Sequence, residues 1–254
     1  MTINQAFDIL KKAGDIRAAR IITDNVKHLP WWRVHFFACQ LRRGVPVAKI
    51  IHQKWFYGIP FYTNKHTLDP RPDTETLVAA VISDNAPAPR ILDLGTGTGC
   101  IITALVKNIY GASGVGVDIS RGAIRVAKRN IKSQDLTNQV KIIRGSFANK
   151  NLMKEKFDVI VSNPPYIAYG DNRVNTGAMH DPKRALYANN NGLAAYEQIA
   201  TNAKNWLNSD GKIYLEIGAG QQTAVKKIFQ NIGWKFVRAD KDLGGIVRVL
   251  VFKP

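Results

Sequence analysis

The 254-residue sequence is poor in cysteine, in acidic residues and in long apolar runs, and each shortage closes off a class of protein. Its two cysteines, Cys39 and Cys100, stand far apart in apolar surroundings, with no second Cys or His at ligand spacing. Neither a disulfide framework nor a metal site is expected. No stretch reaches the roughly 18 uncharged apolar residues that a membrane span needs. The start, Met1-Thr2-Ile3-Asn4-Gln5, has no basic region followed by an apolar block, so a cytoplasmic location without a membrane partner is the expectation. Only 19 Asp and Glu face 36 Lys and Arg, a formal charge of +17. Such a surplus attracts polyanions at long range. The basic residues are scattered, with local concentrations at Arg33, Arg42 and Arg43 and along Arg121, Arg125, Lys128, Arg129 and Lys132. They suit either contact with RNA or the ribosome, or ordinary solvated helix faces.

Residues 1–53 read as a small helical domain. Thr2 and Gln5 make a capping-box pattern with Ile3, Ala6, Phe7 and Leu10 on one face, and Gly14-Asp15 breaks that helix. A second helix carries Ala18, Ala19, Ile21 and Ile22; a third begins after Pro30 and ends near Gly44. Residues 54–66 read as a linking hairpin, with Trp55 to Thr63 turning at Gly58. Pro70 and Pro72 exclude helix, whereas Asp73 or Thr74 is expected to cap the helix of Leu77, Val78, Val81 and Ile82. Across residues 67–254, apolar strands at 90–94, 114–118, 140–144, 157–162 and 212–217 alternate with helical patterns. Strands at 234–239 and 247–252, joined through Gly244-Gly245, close the chain. This order predicts an α/β fold: a mostly parallel seven-stranded sheet with helices on both faces and a closing antiparallel hairpin.

The first strand of that sheet ends in Asp93-Leu94-Gly95-Thr96-Gly97-Thr98-Gly99, and a helix follows at once. Glycines let backbone approach a ligand closely. Their G-x-G-x-G spacing differs from the G-x-G-x-x-G of dinucleotide sites, which favours a cofactor without a pyrophosphate. Asp118, about 20 residues on and at the end of the next strand, is placed to accept from both hydroxyls of a ribose. A structural strand-turn-helix with a chance carboxylate is the plain alternative.

The fourth strand delivers Asn163-Pro164-Pro165-Tyr166 at its carboxyl end, where open parallel sheets bind ligands. The two prolines fix φ angles, so the Asn163 side chain and the Pro164 carbonyl can be rigid acceptors for one NH2 group. An amide nitrogen is a poor nucleophile because its lone pair is delocalised. Two acceptors gripping its hydrogens would polarise it and aim it at a methyl group, with Tyr166 covering the amide plane. A stiff surface turn is the competing reading.

On these motifs the chain resembles the release-factor glutamine N5-methyltransferase family, over about residues 42–248. Asp93 to Gly99, Asp118 and Asn163 to Tyr166 are shared with wider methyltransferase groups. Pro70-Arg71-Pro72-Asp73-Thr74-Glu75, Arg42-Arg43-Gly44-Val45-Pro46, Asp181-Pro182, Ala185-Leu186 and Gly192-Leu193 fit the glutamine-specific family. The resemblance implies a Rossmann-like class I fold for residues 67–254 and S-adenosyl-L-methionine as cofactor, leaving as S-adenosyl-L-homocysteine. It implies that Asp93, Gly95, Thr96, Gly97, Thr98 and Gly99 serve the methionine part, Asp118 the ribose and Phe147 the adenine. Asn163, Pro164, Pro165, Tyr166 and Arg71 would meet the substrate, with Asn163 also beside the cofactor and Asn163, Pro164 and Tyr166 catalytic. The partner so implied is a class-1 peptide chain release factor, methylated on the glutamine of its Gly-Gly-Gln motif and touched by the helical N-terminal domain. The chain departs from the family pattern at Ser146, where an acidic residue is usual, and in the shortness of that domain.

Other readings fit parts of the sequence. Ribosomal protein glutamine, or an exocyclic amine of RNA or DNA flipped out of its stack, would suit the same clamp. A noncatalytic scaffold and a nicotinamide oxidoreductase are disfavoured by the intact Asn163 clamp and by the glycine spacing.

Overall fold

The chain enters its first helix through the expected capping box. Thr2 Oγ1 accepts from the Gln5 backbone N–H at 3.3 Å, and Gln5 Oε1 accepts from the Thr2 N–H at 2.9 Å. The computed structural model describes residues 1–84, 87–171 and 179–254. Helices α1 (Ile3–Ala13), α2 (Ile16–Asn25), α3 (Trp31–Arg42) and the short α4 (Val47–Ile51) pack around Ala6, Leu10, Ile22, Val34 and Phe37. A hairpin of β1 (Gln53–Phe56) and β2 (Ile59–Tyr62) follows, turning at Tyr57-Gly58 with φ of 50° and 72°. Two left-handed residues match the twist of the flanking strands.

The remaining elements are α5 (Glu75–Ser83), β3 (Arg90–Leu94), α6 (Cys100–Asn108), β4 (Ser113–Asp118), α7 (Arg121–Ser133), β5 (Val140–Arg144) and β6 (Phe157–Ser162). After them come β7 (Ile167–Ala168), α8 (Lys183–Leu186), β8 (Tyr187–Ala188), α9 (Ala194–Ala203), β9 (Leu207–Glu216), α10 (Gln222–Asn231), β10 (Lys235–Lys241) and β11 (Val247–Lys253). Seven strands form the central sheet in the order β10-β11-β9-β6-β3-β4-β5. Pairing is parallel from β9 through β5 and antiparallel on both sides of β11.

The period of two along each strand divides the core. Ile91, Val159, Val161 and Val251 face one side with Leu77, Ile102 and Ala127. Leu92, Leu94, Ile160 and Leu250 face the other with Tyr196, Ile199 and Phe229. The predicted α/β architecture is therefore the one observed. Strand β9 starts five residues before the expected Lys212. Phe157 pairs with Leu207, and the register slips before Val159 meets Lys212. Ser209 and Asp210, at that irregularity, are exposed. Among the described residues no helix is long and apolar enough to cross a membrane.

A buried ion cluster ties the N-terminal helices to the sheet. Lys49 Nζ, on α4, lies 2.7 Å from Asp69 Oδ1 and 3.0 Å from Asp181 Oδ1. It also donates to the Thr67 and Asn64 carbonyls at 2.5 and 2.8 Å. Arg71 reaches the other Asp181 oxygen at 2.6 Å. Burial raises the Asp181 carboxyl above its ordinary value, and Lys49 opposes the rise. Removing the ammonium would leave two carboxylates with little solvent to replace it. Lys49→Met is expected to lower folding stability by about 3–5 kcal/mol, read from the midpoint of a urea denaturation curve.

Candidate active site

Beyond β3 the chain passes through φ values of 76° at Gly95, 56° at Gly97 and 78° at Gly99, a loop that residues with side chains would adopt only under strain. The Gly95 and Thr96 N–H groups both donate to the Val117 carbonyl at 2.9 Å, which stitches the loop to β4. Gly97 N–H donates to Asp118 Oδ2 at 3.0 Å and Ser120 N–H to Oδ1 at 2.8 Å. Each carboxylate oxygen keeps a further lone pair, so Asp118 is aimed by backbone while retaining capacity to accept from a ligand. Burial raises its pKa, and those amides partly offset the rise.

A cavity of ≈ 260 Å³ opens over this edge, lined by Gly95, Gly97, Asp118, Phe147, Asn163 and Pro165, with His66, Leu68 and Arg184 on its rim. A Cβ built on Gly95 would meet no atom of the described residues within 4 Å. Close backbone, an oriented carboxylate and a ring are a donor and acceptor set that fits a nucleoside. Asp93, Thr96, Thr98 and Gly99 do not line the cavity; they brace the loop from behind. Thr96 Oγ1 donates to the fully buried Asp93 Oδ2 at 2.6 Å. The Thr98 carbonyl accepts from Asn130 Nδ2 at 2.9 Å, and Asn130 also bonds both backbone groups of Tyr62, pinning the hairpin to the loop. Phe147 is half-buried, its carbonyl held by Asn202 Nδ2 at 2.9 Å.

Strand β6 hands over to Asn163-Pro164-Pro165-Tyr166 after Ser162 Oγ donates to the Leu94 carbonyl at 2.7 Å. Asn163 Nδ2 donates to Thr74 Oγ1 at 3.1 Å. The Tyr166 carbonyl accepts from Gln221 Nε2 at 2.9 Å. A Cβ at Gly192, where φ is 85°, would fall 2.1 Å from that carbonyl oxygen, so only glycine lets the neighbouring loop close on the turn. A second cavity, ≈ 640 Å³, flanks the turn and is lined by Tyr166, Ile167, Asn191, Gly218 and Gln221. The tetrapeptide thus contributes to two cavities, with Asn163 and Pro165 lining one and Tyr166 the other, while Pro164 is buried and lines neither. Burial pushes the Tyr166 phenol up to about 12.

The start of α5 departs from the sequence reading. Neither Asp73 nor Thr74 caps α5 through its side chain. Pro72–Thr74 forms a 3-10 turn into the helix, and the Thr74 hydroxyl is turned to Asn163 instead. Arg71 lines neither cavity and is held by Asp181. His180 is half-buried beside Gly44 and lines a further cavity with His52 and His66. Sequence reasoning also missed Glu216. It is 1% exposed at the end of β9, and burial raises its pKa to about 7, with hydrogen bonding from Thr74 and Asn163 opposing. The available signal was a lone carboxylate among the apolar residues Ile213 to Ile217.

The methyltransferase-domain family model matches residues 86–233. The methyltransferase of Pyrococcus furiosus shares the fold, with a TM-score of 0.60 at 17% identity over 87% of this chain and 96% of that one. The chain is accordingly a methyltransferase of the Rossmann-like class, for which family and fold imply S-adenosylmethionine as methyl donor. Sequence relatives narrow the class. The release factor glutamine methyltransferase of Agrobacterium fabrum is 40% identical over 83% of this chain and 75% of its own length. That of Francisella tularensis is 42% identical over 80% and 72%. The bifunctional methyltransferase of Rickettsia felis is 40% identical over 82% of this chain, which spans only 45% of that protein. The chain belongs to the release factor glutamine methyltransferase family.

Desolvation raises Asp93 to about 7, with the Thr96 hydrogen bond opposing. A carboxyl with a raised folded-state pKa binds more protons in the native than in the unfolded state between the two values. Its contribution is therefore full below the unfolded value near 4 and is lost as pH rises through about 7. Asp93→Asn removes that titration. Its melting temperature relative to the parent protein is expected to rise between about pH 5 and pH 8, as measured by calorimetry.

Proposed function

We propose that this protein transfers a methyl group from S-adenosyl-L-methionine to the side-chain amide nitrogen of the glutamine in the Gly-Gly-Gln motif of class-1 peptide chain release factors. The observation that carries the reading is the setting of Asn163. Its amide lies 3.1 Å from the Thr74 hydroxyl and the residue lines the first cavity with Pro165; with the NH2 end spent on Thr74, the oxygen end would face that cavity. An acceptor held there grips an N–H of an incoming amide, and the Pro164 carbonyl takes the second. When bound, the cofactor supplies a methyl group activated by a cationic sulfur. Gly95 and Gly97 would lie against its methionine part, Asp118 at its ribose and Phe147 at its adenine, with Asp93, Thr96, Thr98 and Gly99 holding the loop in shape. Tyr166 would cover the amide plane from the second cavity, the side from which a peptide loop can approach.

Support for the substrate comes from the names of the relatives at 32–42% identity, and from Pro70 to Glu75 lying against the clamp through Thr74. We assign residues 1–53 to recognition of the release factor, 54–66 to the linking hairpin and 67–254 to catalysis, with Arg71 placing the substrate segment through its pairing with Asp181. The exposed Arg121, Arg125, Lys128, Arg129 and Lys132 on α7 form a basic face suited to RNA or the ribosome. Purified protein with methyl-labelled cofactor is expected to label a class-1 release factor in preference to ribosomal protein or RNA; label confined to RNA would overturn the substrate. Asn163→Ala is expected to lower turnover at least about a hundredfold while cofactor affinity stays within a few-fold, and near-normal turnover would remove Asn163 from the reaction.

A further inference from the structure

An amide side chain is ambiguous about which end faces a ligand, and the distances around Asn163 do not decide it alone. The Thr74 hydroxyl can accept from Asn163 Nδ2 or donate to Asn163 Oδ1, and only the first arrangement leaves an acceptor for the substrate. What stands behind Thr74 makes the difference. Glu216 ends β9, the strand beside β6, and because Ser162 pairs with Leu215 the register sets Glu216 beside Asn163, the next residue on β6's side. Glu216 is 1% exposed, its Oε2 has no hydrogen-bond partner among the described residues, and the polar ends of Thr74 and Asn163 oppose the rise that burial imposes on its pKa. An ionised carboxylate only accepts.

We propose that Glu216 is a positioning residue for methyl transfer: it draws the Thr74 hydroxyl proton and the second Asn163 N–H toward itself and so fixes the Asn163 oxygen toward the substrate. The proposal rests on the reading of Asn163 as the substrate's acceptor. The direction of the relay follows from its acceptor-only end. With the Thr74 hydroxyl donating to that carboxylate, Thr74 accepts from Asn163 Nδ2, as the 3.1 Å contact between them allows; both hydrogens of the Asn163 amide are then used inward and its oxygen faces out. Glu216 touches neither cavity, so it acts through its two neighbours. Thr74 is 3% exposed and also faces neither cavity. The same relay explains why Thr74, at the start of α5, makes no side-chain cap for that helix.

The test compares isosteric and conservative variants at about pH 8.5, above the value of about 7 to which burial lifts Glu216. With a purified class-1 release factor as substrate, Thr74→Val, which keeps the shape and loses the hydroxyl, is expected to lower kcat about tenfold. KM and cofactor Kd should stay within about twofold, because only the orientation of Asn163 is released. Thr74→Ser should restore most of the turnover. Glu216→Gln, which presents an NH2 group where only acceptors serve, should match Thr74→Val, and the double variant should be little worse than either single. Equal losses in Thr74→Val and Thr74→Ser, a defect confined to KM, or additive losses in the double variant would overturn the relay. An inactive Asn163→Ala beside a fully active Thr74→Val would sink the relay alone. A release factor left unlabelled by the parent protein would take the proposal down with the reading beneath it.

Discussion

One buried ammonium group holds together stretches that the chain separates widely. Lys49 joins α4 to Asp69, just before the Pro70 to Glu75 segment, and to Asp181, beyond β7. Because the cluster is dry, the charges must sit at hydrogen-bonding distance or carry a large desolvation penalty, so the three segments have little freedom to slide. Arg71 then leans on the same Asp181, which carries the constraint into the turn that presents Thr74. From there it reaches Asn163 through a single 3.1 Å hydrogen bond. The placement of Asn163 thus depends on helices outside the sheet as much as on the strand that bears it.

The other half of the site is held by backbone. Asp118 receives one amide from the glycine loop and one from the start of α7, while the Val117 carbonyl just before it receives two more from the same loop. Strand end, loop and following helix therefore form one unit, and the carboxylate points into the cavity without needing a side-chain partner. Such preorganisation lets a polar group meet its ligand with little rearrangement. It also accounts for the division of labour among the motif residues: Gly95 and Gly97 face the cavity, whereas Asp93 and Thr96 pair with each other behind the loop.

Contiguity decided what could be read from sequence. The glycine loop, Asp118 and Asn163 to Tyr166 each lie within a few residues of a strand end, so local pattern and the rule of binding at strand carboxyl ends located them. The sheet was equally legible, because alternating apolar strands and amphipathic helices leave few topologies. Lys49, Asp69 and Asp181 carry no such signal; nothing in a Val-Ala-Lys-Ile-Ile run announces that its lysine will be buried. Thr74 misled for a physical reason. Its position before a helix satisfies the capping pattern, but Pro72 starts a 3-10 turn, and a tertiary partner takes the hydroxyl. Glu216 was hidden by the apparent continuity of an apolar strand.

The electrostatics of the site run against those of the whole. A surface with an excess of 17 positive charges repels a cation at long range, yet the cofactor implied by family and fold carries a cationic sulfur. The site answers with carboxyls gathered inside the sheet's edge. Asp93, Asp118 and Glu216 all have raised pKa values, chiefly because burial disfavours their charged forms, and Asp118 adds to the rise at Asp93. A buried carboxylate deprived of water is one for which a nearby cation becomes a favourable partner, since low dielectric strengthens the attraction that water would have screened. Binding a cation there favours the ionised forms, and the ionised form of Glu216 is the one that can only accept. A strongly basic chain thus keeps buried carboxyls at the strand ends of its sheet. Both signs are compatible in one small molecule because the outer charges are screened over about 10 Å of salt solution and the inner ones are not.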